Sequence, residues 1–176
     1  MGYFATAEEL SDELYASLTD FFASEIGAQA RKLTLEGADS ATLVLHTVDP
    51  EATFSVDFHA GTVVRQAVAD GDVEIELEAD ALHDILLERL DPVNISRLYE
   101  TDRIAFRGES RNLAALIALA GKLQPFYPAS LARRGRQELL KTPLPETKQA
   151  WLAEGPYREV IGHRRPWQRA KRSSAG

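Results

Sequence analysis

The sequence predicts an α+β fold: a mainly antiparallel five-stranded sheet accompanied by amphipathic helices, with a basic extension behind it. Three observations predict this. Between residues 41 and 77, and again at 103–107, apolar and polar residues alternate, which is the period of strands with one packed face. Around these stretches apolar residues recur at steps of three and four, the period of a helix with one buried stripe. The 176-residue chain then changes character after about residue 130, where the sign of its charge reverses.

Taken in order, Thr6-Ala7-Glu8-Glu9 has the form of a capping box, in which the hydroxyl reaches forward and the carboxylate reaches back. Leu10, Leu14, Leu18, Phe21 and Phe22 then form a long helical stripe, and Gly27 is expected to end it. Arg31–Glu36 reads as a short strand or an extended connection, and Glu36–Ser40 as a turn. Ala41–Val48 is a strand broken by Asp49-Pro50-Glu51. Thr53–His59 is the next, with Phe54, Val56 and Phe58 inward and Ser55, Asp57 and His59 outward. Ala60-Gly61 turns the chain into a third strand at Thr62–Val68, and Asp70-Gly71 turns it again. A fourth strand places Val73, Ile75 and Leu77 on one face and Glu74, Glu76 and Glu78 on a solvated one. Read as a meander, these are four successive antiparallel strands.

Asp80 is positioned to cap a helix whose apolar face is Leu82, Ile85, Leu86 and Leu90. Asp91-Pro92 stops it and opens a short segment with Val93, Ile95, Leu98 and Tyr99, since proline is tolerated at a first helical position. Arg103–Arg107 is the fifth strand, with Ile104 and Phe106 on one face, ending at Gly108. Leu113, Leu116, Ile117 and Ala120 mark another amphipathic helix. Pro125-Phe126-Tyr127-Pro128 reads as a rigid link, Leu131–Leu140 as a basic helix, and Thr142-Pro143-Leu144-Pro145 as an extended linker.

The order of these pieces resembles a known family. Asp72-Val73-Glu74-Ile75-Glu76-Leu77-Glu78-Ala79-Asp80, then Leu86-Leu87, Asp91-Pro92 and Arg103-Ile104-Ala105-Phe106-Arg107-Gly108, are similar to the sterol carrier protein family of nonspecific lipid-transfer domains. The resemblance covers about residues 7–127. Where that family usually has a Gly-Lys pair before its last strand, Glu100-Thr101-Asp102 stands here. The resemblance implies one long helix, a curved five-stranded sheet with helices over one face, and an apolar cavity between them. It implies non-enzymatic binding or transfer of a fatty acid, fatty acyl-CoA, sterol or similar lipid. The residues that would face that interior are Phe54, Val56, Phe58, Ile75 and Leu77 from the strands and Leu86 and Leu90 from the first covering helix. Ile104 and Phe106 from the last strand, and Leu113, Leu116 and Ile117 from the last helix, complete the set.

Composition excludes several other classes. No run of 18 or more apolar residues occurs, so no transmembrane helix is expected. The N-terminus lacks the basic start and apolar core of a secretory signal, and Ser173-Ser174-Ala175-Gly176 is not a peroxisomal address. A soluble cytoplasmic protein is the expectation. The chain has no cysteine, hence no disulfide and no thiolate metal site. His46, His59, His83 and His163 show no metal spacing, and neither a nucleophile elbow nor a phosphate loop is present. No cofactor and no metal are expected.

An enzyme of specialised metabolism is the alternative. It would need a polar group inside the same cavity, and His46, Asp57 and Tyr99 are its candidates. A further alternative is an interaction protein working through the tail. Residues 131–176 hold 11 Lys/Arg against 4 Asp/Glu, a charge of +7, which leaves −14 on the remainder of a chain whose total is −7. The chain thus reads as a lipid-binding domain over 1–130 and an extension over 131–176 containing Trp151, Tyr157 and Trp167. The acidic body argues against nucleic acid. It favours docking of the extension on its own body or on a second subunit, as a homodimer, with closure of the cavity mouth as one consequence.

Overall fold

The computed structural model describes residues 2–35, 42–68, 71–90, 92–100 and 103–141. The expectations for the turn at 36–40 and for Trp151, Tyr157, His163 and Trp167 therefore fall outside the described residues.

The first helix, α1, spans Ala7–Ala23. Its cap forms with the return bond shifted by one residue: Thr6 Oγ1 accepts from the Glu9 N–H at 3.1 Å, while the Glu9 carboxylate accepts from the N–H of Ala5, the residue before the cap, at 2.8 Å. The helix ends before Gly27. Ser24 closes it by donating its hydroxyl to the Phe21 carbonyl at 2.6 Å, and the same oxygen accepts from the Gly27 N–H at 3.0 Å. One serine thus ends α1 and starts α2, Glu25–Leu35. Gly27 lies inside α2, and a Cβ there would sit 1.9 Å from the Phe21 carbonyl oxygen. It therefore serves close helix approach instead of termination. Arg31–Leu35 is helical, not extended, in keeping with the run of good helix formers Ala28 to Leu33.

The strands are β1 Thr42–Val48, β2 Ala52–Asp57, β3 Thr62–Val64, β4 Val73–Glu78 and β5 Ile104–Gly108. They form one five-stranded sheet in the order β3-β2-β1-β4-β5. Three pairings are antiparallel, but β4 lies beside β1 and parallel to it, with Leu43 opposite Val73 and Leu45 opposite Ile75. The four-strand antiparallel meander is corrected here. After only three residues of β3 the chain leaves the edge and crosses the second face of the sheet to reach the far side of β1. Ser55 Oγ donates to the Gln66 carbonyl at 2.6 Å and accepts from the Val68 N–H at 2.9 Å. Asp72 then fastens the arriving end of the crossing to the start of β1: its carboxylate accepts from the Thr42 N–H at 2.8 Å, and its own N–H donates to the Thr42 carbonyl at 2.9 Å.

A second correction concerns the carboxylates of β4. Glu74, Glu76 and Glu78 share a face as the alternation requires, but the face is not solvated: Glu76 is 1% exposed. The antiparallel register of β5 sets Arg107 opposite Glu74, at 2.6 Å, and places Arg103 beside Glu78, at 2.5 Å. Guanidinium groups from β5 thus flank the carboxylate row of β4.

The helices cover the other face. They are α3 Ala79–Leu86, α4 Pro92–Glu100, α5 Ser110–Arg133 and α6 Gln137–Lys141. Glu78, not Asp80, is the N-cap residue of α3; Asp80 sits in the first turn and accepts from the Tyr3 N–H at 2.8 Å. Leu90 lies past the end of α3 but is buried all the same. The expected link at 125–128 is helical, because α5 runs through Pro125 and Pro128. Full burial of Tyr127 and Leu131 on that helix outweighs the lost backbone hydrogen bonds. The far end of α5 is tied to α1: Arg134 donates to Glu13 at 2.6 Å and to Ser17 Oγ at 2.6 Å, and Arg136 pairs with Glu9 at 2.6 Å and with Glu13. Leu131 and Leu139 belong to the main core cluster, so the packed body extends into α6.

Gly108 ends β5 with φ +139°, and a Cβ there would approach the Asp72 carbonyl oxygen to 2.4 Å and Val73 Cα to 3.0 Å. Both strain and backbone collision follow from any side chain. Gly108→Ala is expected to destabilise the fold by about 1–3 kcal/mol, the scale for a residue held in such a region, read as a lower midpoint in urea unfolding. Gly135→Ala, with φ +78° but open space around the added Cβ, is expected to lose less.

Candidate functional site

The helix-facing side of the sheet is laid out in rows by the strand register. One row runs Ala52, Thr47, Leu77, Ile104 across β2, β1, β4 and β5, and it is the floor of the main core. The next runs Phe54, Leu45, Ile75, Phe106. Along this second row the side chains emerge progressively: Phe54 is 0% exposed, Leu45 7%, Ile75 partly exposed and Phe106 41%. Ile75 lies on an interior strand and faces the helices, yet solvent reaches it.

The apolar interior is correspondingly divided. One cluster holds Phe54, Leu77, Leu86, Leu90, Leu98 and Ile104; the other holds Phe21, Phe22, Val56, Phe58, Val73 and Leu119. Leu43, Val63, Ile75 and Leu123 touch both clusters and are only partly buried. They lie between the clusters as an apolar seam, and β5 is the edge of the sheet beyond Ile75. At that edge Tyr99 of α4 stacks on Phe106, with ring centroids 4.9 Å apart and planes at 11°.

Of the residues expected to face one interior, Phe54, Leu77, Leu86, Leu90 and Ile104 meet in the first cluster, and Val56 and Phe58 in the second. Ile75 bridges them. Phe106 and Ile117 do not join the interior: they are exposed, Ile117 by 64%. Leu113 and Leu116 lie on α5 with side chains outside the described residues. The residues missed in sequence are Leu43, Val63 and Leu123. Leu43 and Val63 alternate within their strands and carried a signal that was available.

The polar candidates fall elsewhere. The register puts His46 and Asp57 on the opposite face of the sheet from the seam. His46 Nδ1 lies 3.2 Å from Thr53 Oγ1, and the Asp57 carboxylate accepts from the Ala60 N–H at 2.9 Å. Tyr99 stands at the exposed rim. Among the described residues, no group of three or more His, Asp or Glu is arranged to hold a metal ion, and no helix is long and apolar enough to cross a membrane.

The histidine that does reach the interior is His83, on α3. Its Nε2 lies 3.1 Å from the Leu139 carbonyl, which can only accept, so Nε2 carries the hydrogen. Nδ1 must then accept from the Tyr127 hydroxyl at 2.9 Å. The rings of Tyr3 and Phe4 pack around it. Both nitrogens are committed, so this imidazole pins α3, α5 and α6 together and has no lone pair left for proton transfer. Burial pulls its pKa down to about 4. Beside it, Tyr3 donates to Asp84 at 3.1 Å, and desolvation with the nearby Asp84 charge pushes the phenol up to about 12. Asp84 in turn pairs with Arg89 at 3.1 Å, and Arg89 donates to the Leu140 carbonyl at 2.7 Å.

No family model matches the chain, and no curated protein matches it. Among solved structures, it is similar to sterol carrier protein 2 from Yarrowia lipolytica in its apo form, at 17% identity over 67% of this chain and 91% of that one, with TM-score 0.48. It is similar to a UbiJ-SCP2 ubiquinone synthesis protein at 18% identity, over 66% of this chain and 91% of that one, with TM-score 0.47. A sterol carrier protein 2-like 2 from Aedes aegypti matches at 19% identity over 58% of this chain and 94% of that one, with TM-score 0.38. The resemblance read in the sequence names the same family. Likeness at this level does not carry a ligand from one protein to another.

The pH dependence of stability follows from His83. Its folded-state pKa of about 4 lies below the ordinary histidine value of 6.5, so the native state resists a proton that the unfolded chain accepts. The contribution is complete above pH 6.5 and is lost as pH falls through about 4, up to roughly 3 kcal/mol over that window at 1.36 kcal/mol per unit. Urea unfolding at stepped pH is expected to show this loss in the wild type. In His83→Gln, which keeps hydrogen-bonding capacity without titrating, the loss is expected to shrink.

Proposed function

We propose that this chain binds a hydrophobic ligand of the fatty acid, fatty acyl-CoA, sterol or related lipid class in the apolar crevice between sheet and helices, and that it does so without catalysis. The observation that carries the reading is the graded exposure of Phe54, Leu45, Ile75 and Phe106 along one inward-facing row. Apolar surface left accessible between two packed clusters is what a hydrophobe covers, at about 0.8 kcal/mol for each methylene buried. The seam residues are all apolar, as expected of a site that recognises shape and length before polar pattern. The carrier reading stands ahead of the enzyme reading because His46 and Asp57 face away from the seam and His83 has both nitrogens engaged.

Native mass spectrometry of the purified protein is expected to retain a copurifying hydrophobe, and titration with a fluorescent fatty acid to saturate at one site. Filling the seam is the sharper test. Ile75→Trp is expected to weaken binding at least tenfold while leaving the circular dichroism unchanged. Val64→Trp, at an exposed position of the edge strand on the other face, should bind as the wild type does. Equal binding by the Ile75 variant would sink the assignment of the crevice.

A further inference from the structure

Helix α5 carries a glycine and a proline one turn apart, Gly121 and Pro125, and packing calls for neither. Both are exposed, and a Cβ at Gly121 would meet nothing within 4 Å. In a helix interior these are the two least favourable residues. Their effects fall on one turn. The amide of residue 125 would bond the carbonyl of residue 121, but proline has no N–H, so that turn lacks its closing hydrogen bond. The residue whose carbonyl is released is also the one with the greatest backbone freedom.

The helix is held differently on the two sides of this turn. After it, the Tyr127 hydroxyl donates to His83 at 2.9 Å, Ser130 donates to Asp20 at 3.3 Å, and Arg134 pairs with Glu13 at 2.6 Å. Among the described residues, the side-chain hydrogen bonds from α5 to other elements begin at Gln124. Before the turn, Leu119 is buried against the cluster of Phe21, Phe22, Val56 and Phe58, while Ala114, Ile117 and Ala118 are exposed.

We propose that α5 is hinged at Gly121–Pro125, the half from Ser110 to Ala120 swinging on a half that Tyr127, Ser130 and Arg134 hold fixed. The swing draws Leu119 out of the second cluster, next to Leu123, the seam residue that touches both clusters. Its use as the entry for a hydrophobe rests on the ligand reading above; the hinge itself does not.

The chain has no cysteine, so spin labels on introduced cysteines report only from where they are placed. Ala114 and Ala129 are exposed on either side of the hinge, about 22 Å apart along a straight helix. In the full chain carrying Ala114→Cys and Ala129→Cys, without ligand, the distribution of label distances is expected to be broad or double. Adding Gly121→Ala and Pro125→Ala is expected to narrow it to one peak while the circular dichroism stays native. A control pair, Asp12→Cys with Ala129→Cys, spans two helices that Arg134 ties together and should be narrow in both backgrounds. A single narrow peak with the native Gly121 and Pro125 overturns the proposal, and so does breadth that survives both substitutions. If the doubly substituted chain does not fold, Gly121→Ala alone, with open space for its methyl group, is expected to narrow the distribution, and an unchanged one overturns the hinge. The stiffened chain is also expected to take up a fluorescent fatty acid about fivefold more slowly, the ratio set by the helix propensities of glycine and alanine. Equal rates overturn the role in entry. Failure of both chains to bind overturns the ligand reading, whereas the label distances alone decide the hinge.

Discussion

The parallel pairing of β4 with β1 is the constraint on which the rest of the structure depends. A meander would have set β4 beside β3 and left one sheet face open to water. Insertion at β1 instead sends the connection across that face, where Ser55 holds it through Gln66 and Val68. It also leaves β4 with a free side on which β5 can pair. The carboxylates of β4 are then drawn out of bulk solvent, with Glu76 almost fully buried, and they need compensation. Arg103 and Arg107 supply it from β5. Because side chains in a strand alternate, a slip of β5 by one residue would remove both guanidinium groups from that face and put Ile104 and Phe106 there. The charged ladder and the apolar rows therefore specify the same register.

The C-terminal half of α5 is the part of the helical layer whose ties are clearest: Tyr127 bonds His83, Arg134 bonds Glu13 and Ser17, and Gln124 donates to the Ile85 carbonyl. In the earlier turns, among the described side chains, Ala114, Ile117 and Ala118 are exposed and Leu119 is buried. Three of these ties reach α1 and α3, so the end of α5 fixes the helices to one another as well as to the sheet.

Strand and helix types were legible where a single period persisted, as in the alternation of Phe54, Val56 and Phe58 and the stripe of Leu10, Leu14 and Leu18. What escaped were features set by partners distant in sequence. Nothing within Glu74–Glu78 shows that the strand lies beside β1, so the polar face looked solvated. The two arginines of β5, four residues apart and so on one face, were the available signal. Ser24 ends one helix and starts the next through a single hydroxyl, whereas glycine is the commoner stop, so Gly27 reads locally as the end. Pro125 and Pro128 read as a break because their local preference is strong, but Tyr127 and Leu131 gain more from burial than the helix loses. His83 gave no local sign of its role: its partners lie 44 and 56 residues away.

The candidate site was the least legible part, for a physical reason. A packed core and a crevice have the same composition, and both place apolar residues at the inward positions of strands and helices. The difference lies in whether facing side chains meet, which depends on the separation of the layers. Here Leu77 and Ile104 are buried, whereas Ile75 is partly exposed and Phe106 exposed, two residues along the same strands. The proposed binding of a hydrophobe carries a lower bound on that ligand's size. Association consumes at least about 4 kcal/mol in lost translational and rotational freedom, and by some estimates more than 15, while each buried methylene returns about 0.8 kcal/mol. Five methylenes only balance the smallest cost. On that proposal, a chain of about ten carbons or a comparably large ring system is needed before binding becomes useful.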